Sequence, residues 1–136
     1  MMTELPENRA VELHDSVLAF VDKKNGQVEI GLMPAYVHAS AGVPGVDSGT
    51  GWVQNITVVV EDGSIEGQLP EMPCDLSGGT LAIAEHVSNN VLALPLDLSG
   101  RIELKLEVMW GDQILVRGTR ILTILRGEPE YVEDFR

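Results

Sequence analysis

Three histidines, one cysteine and a glycine-rich run around an aspartate are the groups in this chain best suited to chemistry. Asp47 lies within residues 39–51, Ala-Ser-Ala-Gly-Val-Pro-Gly-Val-Asp-Ser-Gly-Thr-Gly, a stretch dense in turn formers. Loops of this length in compact domains often carry function. A carboxylate there does acid–base work if a histidine or a second carboxylate is brought beside it. A small hydrolase or metal-dependent enzyme using Asp47 with His14 or His38 is therefore one expectation. Nothing more specific is spelled out. His14, His38 and His86 are not spaced with one another or with Cys74 at zinc-ligand intervals. The chain holds no Asp-x-Asp-x-Asp-Gly calcium run, no Walker lysine and no Gly-x-Ser-x-Gly elbow. No catalytic set, metal site or cofactor is assigned. Cys74, directly after Pro73 and without an acid–base neighbour, reads as an inert, half-buried thiol.

Charge narrows the field further. Between Asn25 and Gly100 there is no lysine or arginine, while nine carboxylates fall there: Glu29, Asp47, Glu61, Asp62, Glu66, Glu71, Asp75, Glu85 and Asp97. The formal net charge is -12. Such a field repels nucleic acid and anionic membrane, and it speeds association with a cationic partner. The second expectation follows: a non-enzymatic module that binds a basic protein. Glu61, Asp62 and Glu66 are its expected contact acids, with His14, Asp15, Tyr36, His38, Asp47 and Trp52 as further candidates for the functional surface. A homo-oligomer joined through an exposed strand edge is a third possibility. Tyr36, Trp52 and Trp110 are expected to anchor the core. The lone cysteine predicts no internal disulfide, and no apolar run approaches a membrane span, so the expected address is the cytoplasm.

The elements that must position these groups are strands. Apolar residues recur at period two almost throughout, and helical periodicity is never sustained. Residues 16–22 and 27–33 form a hairpin around Asn25-Gly26, which supplies the positive backbone angles a tight turn needs. Short strands are predicted over 35–38, 52–60, 64–69, 80–87, 91–96, 101–110, 113–116 and 119–126, with 70–79 as a linker. Residues 101–110 alternate most cleanly, with Ile102, Leu104, Leu106 and Val108 inward and Arg101, Glu103, Lys105 and Glu107 outward. Setting the brief 35–38 segment aside, about eight or nine short strands with regular turns predict an all-β fold, an antiparallel β-sandwich or partly open barrel. One domain over 9–136 is expected, with 1–8 as a flexible tail. Tyr131 and Phe135 are expected to dock the C-terminal run. On strands, the neighbours His14 and Asp15 would point to opposite faces and form no dyad.

Two resemblances bear on function. Asp47-Ser48-Gly49-Thr50 is similar to the Asp-Ser/Thr-Gly-Thr signature of aspartic proteases. Those enzymes carry the signature at the end of an apolar strand, whereas Pro44 and Gly45 precede it here. Residues 124–127, Ile-Leu-Arg-Gly, only poorly match the family's second element. Separately, Leu13-His14-Asp15-Ser16-Val17-Leu18 and the hairpin after it resemble the start of small bacterial β-sandwich domains with an N-terminal His-Asp-Ala/Ser motif. Several of these are immunity proteins that neutralise a contact-delivered or polymorphic toxin. The ending from Gly127 to Phe135 is similar to tails of such domains, and the two ends together cover about a fifth of the chain. That resemblance implies a β-sandwich with an immunity-like binding role, in which His14 and Asp15 tie the first strand to a neighbour.

Overall fold

The computed structural model describes residues 7–135, so most of the expected N-terminal tail lies outside the described residues. The fold is all-β and antiparallel, with ten strands and one 3-10 turn, Leu13–Asp15. The strands are β1 (Asn8–Glu12), β2 (Val17–Lys24), β3 (Gln27–Ser40), β4 (Gly49–Glu61), β5 (Ser64–Glu66), β6 (Cys74–Ile83), β7 (His86–Asn89), β8 (Val91–Leu94), β9 (Asp97–Val108) and β10 (Gln113–Phe135). No helix among the described residues is long and apolar enough to cross a membrane.

Pairing runs β2-β6-β9-β10-β4-β3, and β3 pairs back to β2, so these strands close a ring. The closure between β2 and β6 is thin: only Val17 with Asp75 and Leu18 with Cys74. The result is a partly open barrel. Its interior takes the inward row of β9 (Ile102, Leu104, Leu106, Val108) against Val28, Ile30, Ile56, Val58, Ile114 and Ile121. Each such side chain, once fully buried, stabilises the fold by about 1.5–3 kcal/mol.

Long strands carry the sheet beyond the barrel. β3 breaks register between Leu32 and Ala35, around Pro34, which cannot donate to the ladder. Its first half pairs with β2, and its second half pairs with β1 over Tyr36 to Ser40. The 3-10 turn therefore bridges two strands laid along one edge of β3. Beyond the bulge, β8, β1, β3, β4 and the end of β10 form a sheet extension that holds the candidate site.

Several expectations need correction. Residues 74–79 belong to β6 rather than to a linker, and β6 ends at Ile83, before a turn at the positive-φ residue Ala84, after which β7 returns. The predicted strands 113–116 and 119–126 and the tail are one strand, β10. Gly118 does not turn the chain; a Cβ there would collide with Val60 and the Glu61 carbonyl of neighbouring β4. Trp110 is not a core anchor: it is 96% exposed, at φ +83° in the β9–β10 turn. Tyr36 is buried and Trp52 is half-buried, as core anchors should be.

Candidate functional site

The site grows from the pleat of the extension. Along β3, Tyr36 and His38 point to one face and Val37 to the other, since successive side chains alternate. Tyr36 lies beside Glu12 of β1, and His38 lies opposite Gly51 of β4, which in turn pairs with Glu133 of β10. Gly49 pairs with Phe135. Two glycines on β4 leave that face bare, and the Tyr36 and His38 side chains lie across the gap. A Cβ at Gly51 would collide with Tyr36 Oη, and one at Gly49 with the Ala39 carbonyl. The sequence places Gly-Thr-Gly before Trp52 because two large side chains need that space.

Four acids converge here. Tyr36 Oη donates to Glu133 Oε1 at 2.6 Å. Burial first, then the Glu133 hydrogen bond and the charges of Glu133, Glu12 and Asp15, hold the Tyr36 phenol well above its ordinary value. Phe135 packs edge-on to Tyr36 and tilted against His38, with ring centroids 6.2 and 4.6 Å away. A cleft of about 230 Å³ opens beside this group, lined by Glu12, His38, Gly45, Val46, Asp47, Ser48 and Phe135.

The loop over the cleft is tied down rather than loose. Asp47 Oδ2 accepts the Val43 N–H at 2.6 Å, and the Asp47 N–H donates to the Val43 carbonyl at 2.9 Å. Ser40 Oγ donates to the Ser48 carbonyl at 2.7 Å, and Gly45 N–H donates to His38 Nδ1 at 2.5 Å. The Asp47 carboxylate thus closes its own turn, a common use of aspartate in loops. Val43 and Val46 remain on the outside, Val46 79% exposed.

His14 and Asp15 do meet, contrary to the strand-based expectation, because they sit in the 3-10 turn: His14 Nε2 lies 3.0 Å from Asp15 Oδ2. With Glu12 they form a group whose ligand atoms lie within 4.8 Å of one another, the spacing of a potential metal site. The hydrogen bonds set the chemistry of that group. Asn90 Oδ1 accepts the His14 backbone N–H at 2.8 Å, so its amide nitrogen faces His14 Nδ1. Nδ1 is then an acceptor and Nε2 keeps the proton it gives to Asp15. A metal at Nε2 would have to displace that proton and both contacts.

No protein family, curated protein or solved structure was found to match this chain.

The remaining predicted residues lie elsewhere. Trp52 faces the opposite side of the extension, where its indole N–H donates to Thr50 Oγ1 at 2.8 Å and its ring meets Tyr131 edge-on. Glu61, Asp62 and Glu66 lie towards the other end of the molecule, each held by its own chain. Arg120 bonds Glu61 at 2.9 Å, Thr119 Oγ1 donates to Asp62 at 2.6 Å, and Arg117 pairs with Glu66. Cys74 is half-buried on β6, and burial followed by the Asp75 charge raises its thiol, as an inert cysteine requires. Sequence reasoning missed Glu12, Glu133 and Phe135. The Glu12 signal was present as an acid in an otherwise buried strand end, but β1 is too short for its period to be read.

Proposed function

We propose that this protein is a non-enzymatic, immunity-like binding module that takes a basic protein partner on its sheet extension. The observation that carries the reading is the gathering of four acids on one face of the extension, in contrast to the acids paired with arginine across the sheet. Glu61, Glu66, Glu103 and Asp97 are matched by Arg117 and Arg120. Glu12, Asp15, Asp47 and Glu133 meet no lysine or arginine among the described residues, and their only ionic neighbours are His14 and His38. Unmatched carboxylates beside exposed Val43 and Val46 form an acidic surface with apolar neighbours, complementary in charge to a basic protein face. The same field disfavours nucleic acid and anionic membrane.

The alternative, an enzyme built on Asp47 with His14 or His38, has less support. The Asp47 carboxylate holds its own loop, His38 Nδ1 accepts a backbone proton, and His14 is oriented by Asn90.

The test is affinity capture from host lysate at low salt on the immobilised protein, beside an Asp15→Asn/Glu133→Gln variant, followed by a salt gradient. A basic protein that elutes at moderate salt and is not retained by the variant supports the reading. Equal retention on both columns overturns it.

A further inference from the structure

Among the described residues, the Glu12 carboxylate has no hydrogen-bond donor and no lysine or arginine beside it. The residue is only 9% exposed, and no hydrogen bond reaches its carboxylate from any described residue. His38 Nδ1 stands 3.6 Å from Glu12 Oε1, beyond hydrogen-bonding distance, and its lone pair already accepts the Gly45 N–H. His38 cannot donate to Glu12 from that nitrogen. Its other nitrogen, Nε2, is buried and has no hydrogen-bond partner among the described residues, in a residue 4% exposed. A carboxylate largely withdrawn from water gains most from a charged donor that can reach it through the cleft. Both residues line the cleft beside Val46, and no lysine or arginine lines it among the described residues.

We infer that this cleft receives an arginine side chain from a protein partner, its guanidinium bonded to the Glu12 carboxylate. The inference rests on the binding role proposed above and names the group that the partner must present. Three features choose arginine. Its planar fork supplies two parallel donors to a carboxylate, which fits an acid whose oxygens are both free. Phe135 forms one wall and is tilted against His38, which gives a guanidinium plane an aromatic surface to stack on. A bare metal ion has no use for that wall, and the neighbouring histidine is held in its proton-donating form by Asn90. The cleft is also far roomier than a single ion needs.

The probe is N-acetyl-arginine-N-methylamide, titrated at low salt into the isotopically labelled full chain while backbone amide resonances are followed. Saturable shifts at Gly45, Val46, Ser48 and Phe135 are expected, with the norleucine analogue silent. Glu12→Gln should weaken binding by about tenfold or more, and Phe135→Leu should weaken it less while leaving Glu12 in place. Equal binding by Glu12→Gln would overturn the inference, and so would saturable shifts produced by calcium, magnesium or zinc but not by the arginine probe. A basic partner retained normally by Glu12→Gln but lost from Asp15→Asn/Glu133→Gln would overturn arginine insertion while leaving the binding role intact. Loss from both variants would support it.

Discussion

Tyr36 Oη donates a 2.6 Å hydrogen bond to Glu133 Oε1, joining β3 to the end of a strand 97 residues later. This bond runs across the bare face of β4 and fixes the end of β10, which carries Phe135 into the cleft wall. Tyr36→Phe should lower stability by about 1.5 kcal/mol, in the range for a hydrogen bond to a charged acceptor. The alkaline limb should change as well. The folded protein holds the Tyr36 proton more tightly than the unfolded chain does, so this stabilisation is complete below about pH 10 and is lost as pH rises further. Denaturant midpoints from pH 8 to pH 12 should fall less steeply in Tyr36→Phe. Some slope will remain, because Asp134 holds Tyr131 in the same sense. An unchanged slope would contradict a stabilising role for the Tyr36 proton.

Gly51→Ala should be costly although it adds one methyl group. The new Cβ would collide with Tyr36 Oη and crowd Phe135 at 3.1 Å. Overpacking of this kind costs about 1–3 kcal/mol. Chemical denaturation should show that loss, and the ring resonances of Tyr36 and Phe135 should move with it.

Much of the fold is legible in the chain, and the exceptions share a cause. The β2–β3 hairpin follows from Asn25-Gly26, and the β9 alternation follows from a strand with one wet side. β10 reads as two strands because Arg117 to Arg120 interrupt its apolar residues, whereas Gly118 there allows β4 to approach closely. β1 is illegible because its five residues, Arg9 and Glu12 among them, are too few to show a period, although Glu12 is buried there. The candidate site was half visible. His14, Asp15, Tyr36, His38 and Asp47 were singled out and do gather at one end of the molecule. Glu133 and Phe135 come from a strand whose register shifts twice, between Arg126 and Glu130 and between Tyr131 and Glu133. Neither shift can be read from the period of the sequence. Glu61, Asp62 and Glu66 were prominent for charge, but local sequence does not reveal that Arg117 and Arg120 lie across the sheet from them.

Arg120 should govern acid stability. Its guanidinium bonds both oxygens of Asp97, at 2.9 and 2.8 Å, and holds that carboxyl below the usual carboxylate range. A lowered carboxyl stabilises the fold above the unfolded-chain value, about pH 4, and that contribution is lost as pH falls through the lower folded value. Arg120→Gln should therefore have a lower urea midpoint than wild type at pH 7, and the two midpoints should converge near pH 2. A constant gap across that range would contradict the pairing.

Glu12→Gln should not destabilise the protein. The substitution keeps the shape, removes an unpaired charge and relieves repulsion among the acids around Tyr36. A melting temperature equal to or above wild type is expected, with a gain of up to about 1 kcal/mol. A clear loss of stability would mean that the carboxylate has an internal partner.

The most direct test of the central claim is the association rate of the captured basic partner, measured by stopped flow at low salt. Wild type is compared with Asp15→Asn/Glu133→Gln and with Glu61→Gln/Asp62→Asn/Glu66→Gln. The first variant should associate about tenfold more slowly, while the second stays within about twofold of wild type. Slowing confined to the second variant, or equal rates in all three, would contradict it.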